Sequence, residues 1–340
     1  MIGDKEIPTE RTTPESYGLH ELFYQMYNEG CKYVVMEVSS HSLSLDRVYG
    51  ITYDTAVFTN LTRDHLDFHK TMEAYAEAKS ILFEHAESAV INIDDKYSSY
   101  MLNKASGKIL TVSISDDSAE VTAKRIKYHS EGVEFSVLTT GMLKPVQLAI
   151  PGKFSVYNAM SAIGACLNLG FDLKDITEAM LKCKGIKGRA EVVPTGKDFS
   201  VIIDYAHTPD GLENIISTMK GICKGRVITL FGCGGDRDRT KRPIMGEVAA
   251  RESDFVIVTS DNPRTEEPSA IIDDILVGLV DTKTPYTVIE NRREAIKWGL
   301  ENAQKDDILL LAGKGHETYQ VLGKEKIHFD EREVVRDCLN

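Results

Sequence analysis

The sequence predicts an α/β protein with two domains, each built on a mostly parallel β-sheet. Apolar, strand-like runs alternate with helix-like segments through most of the 340 residues, a pattern typical of β-α-β units. Short alternating strands between residues 109 and 150 interrupt this pattern and predict an antiparallel insert in the first domain. The glycine-rich stretch at 184–188 predicts a hinge, so we expect domains at 1–189 and 190–340.

The first predicted domain contains strands, an amphipathic helix and the insert. A buried strand is predicted at Tyr33–Val38, and further strands at Ala56–Phe58 and Ala89–Ile93. Residues 72–85 place their apolar side chains on one face of a helix. The strands of the insert are predicted at 109–114, 121–128, 133–138 and 146–150. Helices at 155–169 and 172–183 follow, and Gly170 ends the first of them as a C-cap.

The second predicted domain is a doubly wound sheet. Its strands are predicted at 200–204, 226–231, 254–259, 285–289 and 307–312. Helices are predicted between them at 209–223, 241–252, 268–279 and 291–304. Ligands of such sheets bind at the carboxyl ends of the strands, so the loops that follow the strands are the first place to look for a site.

Composition excludes several classes of protein. The formal net charge is −12 and there is no basic cluster, which argues against a nucleic-acid or anionic-membrane binder. The longest apolar runs are far too short to cross a bilayer, and the first residues lack the features of a secretory signal, so we expect a cytoplasmic protein. Six cysteines without a C-x-x-C pair argue against a zinc site and indicate reduced thiols.

Two polar segments follow predicted strands of the first domain. Glu37–His41 places a carboxylate and two hydroxyl groups at a strand end, which suits a metal–phosphate site, although plain polar caps would look the same. Asn60–His69 contains five ionisable groups within Arg63–His69. That density suits a Mg²⁺ site, and a solvated loop with a helix N-cap is the alternative.

Lys79 lies on the apolar face of the helix predicted at 72–85. It is four residues after Tyr75 and four before Phe83, so its side chain falls on the stripe that should be buried. A long lysine side chain can extend from such a position to solvent. A half-buried amine with a lowered pKa could instead be reactive, even toward carbon dioxide.

Polar loops also follow the strands of the second domain, and we expect three of them to form one pocket. Gly232–Arg239 is a glycine-rich turn suited to an anion, but it lacks the G-x-G-x-x-G pattern of dinucleotide sites. In Asp261–Arg264, an arginine fork and a carboxylate suit a zwitterionic amino acid. The other two candidate loops are 204–209 and 312–317.

Taken in order, these motifs resemble those of the Mur ligases, over nearly the whole chain. The motif at 261–264, Asp-Asn-Pro-Arg, resembles that of the members that select meso-diaminopimelate over lysine. The matching motifs are EVSSH at 37–41, TNL at 59–61, DHLD at 64–67, G-x-F-x-x-x-N at 152–158, GR at 188–189, DYAHTP at 204–209, GCGGDRD at 232–238 and GKGHE at 313–317.

The resemblance implies a fold and an activity. The fold would be a central Mur ligase ATPase domain, incomplete at its N-terminus, followed by a Rossmann-like doubly wound C-terminal domain that binds the incoming amino acid. The activity would be ATP-dependent addition of meso-diaminopimelate to UDP-N-acetylmuramoyl-L-alanyl-D-glutamate through an acyl phosphate. Such a monomeric, Mg²⁺-dependent enzyme would serve peptidoglycan synthesis, and therefore cell-wall biogenesis, cell shape and cell division.

The resemblance also implies roles for individual residues. Glu37 and His65 resemble Mg²⁺ ligands, and Lys79 resembles the lysine that is carbamylated in this family and helps to hold a second Mg²⁺; these three would be the catalytic residues. The UDP-muramoyl dipeptide would contact Thr12, Thr13, Ser39 and Arg47. ATP would contact Asn158, Arg189, Asp204 and His207. Diaminopimelate would contact Arg237, Asp261, Asn262, Pro263, Arg264, Gly313 and Glu317.

One part of the family pattern has no counterpart in the sequence. Mur ligases begin with a uridine-binding domain, and their central domain opens with a phosphate loop, but no G-x-x-x-x-G-K-[ST] motif occurs in these 340 residues. We therefore expect the sequence to begin past that loop and the chain alone to be inactive. The alternatives to a diaminopimelate-adding ligase are a non-catalytic binding remnant, and a lysine-adding or folylpolyglutamate-synthase-like ligase; the motif at 261–264 argues against the latter two.

Overall fold

The chain forms two compact units. The computed structural model describes residues 1–3, 5, 7, 9, 11–62, 64–183 and 185–339. The first unit comprises Met1–Arg125, Ser136–Pro145 and Val156–Ala179, and the second comprises Ile126–Phe135, Val146–Ser155 and the chain from Met180 onward. The division at residue 189 stays a prediction. Among the described residues, no helix combines the length and the apolar character that a membrane span requires.

The first six strands form one sheet in sequence order. Strands β1 to β4 pair in parallel, and two-residue turns then join β4 to β5 and β5 to β6, which only antiparallel neighbours allow. The parallel part of the sheet agrees with the sequence prediction. The insert was predicted as four antiparallel strands, but only β4, β5 and β6 are antiparallel neighbours, because β3 pairs in parallel with both β2 and β4. The strands are β1 Ala56–Phe58, β2 Ser88–Asn92, β3 Lys108–Ser113, β4 Val121–His129, β5 Gly132–Thr139 and β6 Met142–Leu148.

Seven helices accompany this sheet in the described part of the chain. In the helix that carries Lys79, the N-terminal cap and the buried face follow from the sequence. This helix begins after Thr71, whose Oγ1 accepts a hydrogen bond from the Ala74 N–H, and it buries Tyr75 and Phe83 in a cluster with β1 and β2. The helices are α1 Ser16–Asn28, α2 Ser40–Ser44, α3 Leu66–His69, α4 Met72–Glu84, α5 Ser98–Lys104, α6 Lys153–Asn168 and α7 Leu173–Met180.

The buried strand predicted at Tyr33–Val38 is wrong. Residues 33–38 have no strand pairing, and Val35 is 98% exposed. The β-branched and aromatic run has the composition of a strand, but composition does not supply a neighbour to pair with. The edge strand β1 pairs only with β2 in the described part of the chain.

The second sheet is doubly wound. Its order is β11-β10-β9-β12-β8-β7, with every pair parallel except the edge pair β7–β8, and a hairpin of β13 and β14 lies outside it. The edge strand β7 and the hairpin of β13 and β14 were not predicted from the sequence. The strands are β7 Glu191–Val193, β8 Ser200–Asp204, β9 Val227–Phe231, β10 Phe255–Val258, β11 Tyr286–Val288, β12 Ile308–Ala312, β13 Tyr319–Leu322 and β14 Glu325–His328.

Helices cover both faces of this sheet, and two apolar clusters form its core. One cluster contains Ile202, Leu310 and residues of α8 to α10, and the other contains Ile203, Leu311 and residues of α11 and α12. Because β8, β9, β10 and β12 are parallel to one another, the loops that follow them leave the same edge of the sheet. The helices are α8 Pro209–Lys220, α9 Lys241–Glu252, α10 Pro268–Leu276, a 3₁₀ turn Val277–Leu279, α11 Arg292–Asn302 and α12 Glu331–Leu339.

Candidate functional site

A cavity of about 200 Å³ opens at the carboxyl edge of the second sheet. The loops after β8, β9, β10 and β12 all contribute to it, as the parallel strands predict. It combines three cationic side chains and two carboxylates with glycine backbone, which gives it the polar character of an amino-acid site. Its lining consists of Tyr205, His207, Gly232, Cys233, Gly234, Arg237, Lys241, Asp261, Asn262, Arg264, Gly313 and Glu317.

Lys314 lies beneath this cavity and organises its acidic side. The side chain is 0% exposed, and its Nζ lies 3.1 Å from Asp261 Oδ1, 3.2 Å from Asn262 Oδ1 and 3.3 Å from Glu317 Oε2. Asn262 Nδ2 donates to Glu317 Oε2 at 2.9 Å. A buried ammonium is stable only when it is paired, and here all three of its protons have acceptors on cavity residues.

The hairpin holds the loop at 261–264 in place. Gln320 Nε2 donates to the Asp261 carbonyl at 2.6 Å, and Val321 N donates to Asn262 Oδ1 at 3.0 Å. Arg264, whose φ is +52°, donates its own N–H to the Val321 carbonyl. Its Nη1 donates to the Gly235 carbonyl at 2.7 Å, and Nη2 has no hydrogen bond to the described residues. One end of the guanidinium is therefore anchored and the other is available to a ligand.

A buried arginine holds the glycine-rich loop after β9. Arg242 is fully buried; it donates to Glu266 at 2.8 and 2.9 Å, to Asp274 at 2.9 Å and to the Gly234 carbonyl at 3.3 Å. These hydrogen bonds from Arg242 lower the pKa of Glu266 from 4.5 to about 2. Burial raises the pKa of the Cys233 thiol in the same loop to about 12, so this thiol stays protonated.

Three of the predicted ATP contacts meet around Tyr205. The Arg189 guanidinium lies 5.4 Å from the Tyr205 ring centroid, and His207 Nδ1 lies 3.0 Å from the Tyr205 carbonyl oxygen. The Asp204 carboxylate accepts from the N–H groups of Ala190 and Ala206, both at 2.8 Å, and its burial raises its pKa. Asp204 thus fixes the backbone beside Arg189 and His207. Asn158, the fourth predicted contact, is exposed on α6.

In the first unit, Lys79 lies among acidic groups. Burial lowers the pKa of its ammonium, and the nearby charges of Glu37 and Asp64 act in the opposite direction. Its Nζ lies 5.4 Å from the Tyr75 ring centroid. His65 Nε2 is 3.5 Å from Asp64 Oδ2. The lowered pKa of a half-buried amine is what the sequence suggested for Lys79.

Histidines and aromatic rings surround this group. The His41 and His65 rings meet edge to face, with centroids 4.8 Å apart, and the His69 ring stacks on the Tyr75 ring at 4.9 Å. His69 Nε2 lies 2.8 Å from Ser40 Oγ. Arg63, part of the same predicted cluster, lies outside the described residues, as does the side chain of Asp67.

Two of the predicted substrate-binding residues lie next to Glu37. The buried Thr13 Oγ1 donates to the Glu37 carbonyl at 2.9 Å and accepts from the Ser39 N–H at 3.1 Å. Ser39 also caps α2 by accepting from the Ser42 N–H. Arg47 lies 3.2 Å from Glu15, and Thr12 is exposed.

The sequence did not single out every residue that shapes these sites. Lys314 belonged to a recognised motif but received no role, because lysines are rarely fully buried and no residue pattern marks the exception. Tyr205 and Lys241 also line the cavity, and Lys241 Nζ donates to the His207 carbonyl at 2.8 Å. The remaining members of the predicted diaminopimelate set, including Pro263, lie in or beside the cavity loops.

The described acidic and histidine side chains near Lys79 do not by themselves form a metal site. Within the described ranges, no three His, Cys, Asp or Glu side chains are arranged to hold a metal ion. Glu37, Asp64 and His65 supply two carboxylates and an imidazole near the lysine. A carbamate on Lys79 would add the further oxygen ligand that Mg²⁺ prefers.

Comparison with known proteins identifies both halves of the chain. Residues 1–166 match the Mur ligase middle domain, and residues 188–315 match the domain described as Mur ligase, glutamate ligase domain. A solved structure of a UDP-N-acetylmuramoyl-L-alanyl-D-glutamate–2,6-diaminopimelate ligase is similar, with a TM-score of 0.74 at 37% identity, over 96% of this chain and 68% of that one.

Curated relatives carry the same name. The ligase so named from Caldanaerobacter subterraneus subsp. tengcongensis is 57% identical over the whole chain and 70% of its own length, and one from Clostridium acetobutylicum is 49% identical over 99% and 70%. The Mycobacterium tuberculosis folylpolyglutamate synthase shares the fold alone, at 19% identity and a TM-score of 0.59 over 78% of this chain and 62% of its own.

Proposed function

The chain belongs to the Mur ligase family, and on that premise we propose that it is the ligase that adds meso-diaminopimelate to UDP-N-acetylmuramoyl-L-alanyl-D-glutamate. Mur ligases are ATP-dependent and form amide bonds. The product is a precursor of peptidoglycan, so the protein would serve cell-wall synthesis. Since ATP and UDP-linked precursors are cytoplasmic, we place the reaction there and treat the chain as a monomer.

The observation that carries the proposal is that Arg264, Asp261 and Glu317 line one cavity. An arginine fork recognises a carboxylate, and the acidic groups opposite recognise an ammonium, which together describe one zwitterionic end of diaminopimelate. Arg237 adds a second cation at the rim. Lysine has the same carbon chain length to its far ammonium but lacks the second carboxylate that Arg264 would bind.

The chemistry follows from the two substrates. The γ-carboxylate of the D-glutamyl residue attacks the γ-phosphorus of ATP, which gives an acyl phosphate and ADP. The free amine of diaminopimelate then attacks the acyl carbon, the bond from that carbon to the phosphate oxygen breaks, and inorganic phosphate leaves while the amine loses its proton. We assign Arg189, Asp204, His207 and Asn158 to ATP.

The first unit would hold the metal and the acceptor substrate. Glu37, His65 and a carbamate on Lys79 would bind Mg²⁺, which supplies charge neutralisation for the phosphoryl group being transferred. Thr12, Thr13, Ser39 and Arg47 would contact the UDP-muramoyl dipeptide. The hydrogen bonds of Thr13 to the backbone on either side of Val38 support a role in shaping this part of the site.

The test is selective binding by the 340-residue chain, measured by isothermal titration with meso-diaminopimelate and L-lysine. We expect the chain to bind diaminopimelate at least tenfold more tightly. Arg264→Ala should bring the two affinities together, because loss of a buried charge partner costs about 2 kcal/mol or more, roughly thirtyfold. Arg239→Ala is the matched control, since Arg239 is exposed and pairs with Asp274 outside the cavity.

Equal affinity of the unmutated chain for both amino acids would overturn the diaminopimelate assignment. If Arg264→Ala still prefers meso-diaminopimelate over L-lysine, then a residue other than Arg264 recognises the second carboxylate.

A further inference from the structure

Lys314 is placed to set the charge of the cavity without touching what binds there. It is absent from the lining, is 0% exposed, and contacts three side chains that do line it: Asp261, Asn262 and Glu317. The rings of Tyr319 and Phe329 lie 5.9 Å from its Nζ. These rings can accommodate a cation or an apolar side chain, but every hydrogen bond of this ammonium to the described residues is to a side chain that lines the cavity, so its charge acts there.

The two carboxylates explain why a charge is needed. Asp261 and Glu317 share one Lys314 ammonium, and two buried carboxylates so close to one another repel unless a cation lies between them. With Lys314, the acidic side of the cavity carries a net single negative charge. The other charged or titratable side chains that line the cavity or face Asp261 or Glu317 are Tyr205, His207, Cys233, Arg237, Lys241, Arg264 and Tyr319.

We propose that Lys314 is the positioning residue that makes the cavity specific for a head group with one ammonium and one carboxylate. By cancelling one of the two negative charges, it leaves a site that one ammonium neutralises beside the carboxylate held by Arg264. Without Lys314 the same site would favour ligands with positive charge alone. The inference deepens the proposed function and rests on it only for the identity of the amino acid.

The test compares head groups of different charge on the whole chain by isothermal titration. The probes are meso-diaminopimelate, L-lysine and pentane-1,5-diamine, which has two ammonium groups and no carboxylate. The measured quantity is the ratio of the affinity for an amino acid to the affinity for the diamine. Lys314→Met should lower this ratio at least tenfold, because one unit charge a few ångströms away is worth about that much or more.

Removing the negative charge of Glu317, a hydrogen-bond partner of Lys314, should change the affinity ratio in the opposite direction. Glu317→Gln removes a negative charge and should raise the ratio, although both affinities fall. The double variant Lys314→Met with Glu317→Gln restores the net charge and should return the ratio to within about threefold of the parent. Lys326→Met is the matched control, because Lys326 also lies over the Tyr319 ring, at 3.6 Å, but is exposed on β14. It should leave the ratio unchanged.

Each outcome decides between charge and packing. If Lys314→Met weakens the amino acids and the diamine equally, or if Glu317→Gln lowers the ratio, the proposal is overturned. If Lys314→Met does not fold, the direction in which the affinity ratio changes in Glu317→Gln and in the double variant still tests the proposal. If the parent binds L-lysine as tightly as diaminopimelate while the ratios respond as expected, the role of Lys314 stands and only the proposed substrate fails.

Discussion

Buried or half-buried arginines outside the cavity lining hydrogen-bond to the backbone of the cavity loops. Arg242 donates to the Gly234 carbonyl, Arg292 to the Ala312 carbonyl and Arg332 to the Gly315 carbonyl. Each of these arginines is also paired with at least one carboxylate. The loops after β9 and β12 therefore depend on charges that no ligand touches.

We predict that Arg242→Met destabilises the protein by about 3 kcal/mol. Removal of one partner from a buried ion pair costs about 3–5 kcal/mol, and the lower end applies because Glu266 and Asp274 keep some solvent contact. Denaturant unfolding measures the loss. Arg251→Met, on the same helix but exposed, should cost less than about 1 kcal/mol. Equal losses in the two variants would contradict the prediction.

The pH dependence gives a second check on the same pair. The pKa of Glu266 is lowered in the folded protein from 4.5 to about 2, so its contribution to stability is complete above pH 4.5 and is lost as the pH falls toward 2. The stability difference between the parent and Glu266→Gln should therefore shrink across that interval. A difference that stays constant down to pH 2 would show that the carboxylate is not held by Arg242.

We predict that Lys79 carries a carbamate when carbon dioxide and Mg²⁺ are present. Because burial lowers its pKa, more of the amine is neutral near pH 8 than in an exposed lysine, and the neutral amine attacks carbon dioxide and releases a proton. With ¹³C-labelled bicarbonate, a carbamate resonance should appear in the parent and in Lys104→Ala. Lys104 is an exposed lysine paired with Glu84. The resonance should weaken at lower pH and vanish in Lys79→Ala; its persistence there would exclude Lys79.

Single residues differed in how well the sequence revealed them. Lys79 could be found because helical periodicity alone places it on an apolar stripe. Lys314 could not, because its burial depends on the loop after β10 and on the hairpin, which meet it only in the folded sheet. The motif at 313–317 therefore identifies Lys314 as part of the family pattern but does not show which side chains it contacts.

Among the elements, the loops after β9 and β10 fit together so closely that one of them needs glycine. A Cβ on Gly235 would lie 1.8 Å from the Pro263 carbonyl oxygen, and the Gly235 N–H donates to the Asn262 carbonyl. The glycine is required here for close approach, since its φ is not in the left-handed region.

We predict that Gly235→Ala destabilises the protein by at least about 2 kcal/mol and weakens diaminopimelate binding, because the methyl group must push the loop at 261–264 away. Gly221→Ala is the control: Gly221 has an ordinary φ, and its Cβ would meet neighbours only at 3.5 Å. Thermal melting and titration of both variants measure the two effects. Unchanged binding in a folded Gly235→Ala would show that the loop packing does not shape the cavity.

Most elements could be predicted because their signals are local. Strand β8 lies where the sequence placed it because an apolar run marks it. Helix α9 also has the predicted bounds, although Thr240 makes no side-chain cap at its N-terminus. The hairpin of β13 and β14 was missed because its strands are short and largely exposed, without the alternation of a half-buried strand. The opposite error occurred at 33–38, where the composition is that of a strand but the segment has no neighbouring strand to pair with.

For the molecule as a whole, the sequence predicted which ends of the strands meet but not the order of the strands. Parallel strands with helical connections must present their carboxyl ends at one edge, so Asp204 and Glu317 could be expected to lie near one another although they are 113 positions apart in the sequence. The insertion of β12 between β9 and β8 could not be expected, because strand order follows from pairing between distant segments.

The glycines at 188 and 315 join the loops of the second unit into a single mechanical part. A Cβ on Gly188 would overlap the His316 nitrogen at 2.1 Å, and one on Gly315 would overlap Tyr205 at 2.5 Å. Arg189 is next to the first glycine, and Glu317 is two residues after the second. Because the backbone is this close at both glycines, we expect a shift at Arg189 to displace the loop that carries Glu317. The residues proposed to bind ATP and those proposed to bind the amino acid would then be mechanically coupled.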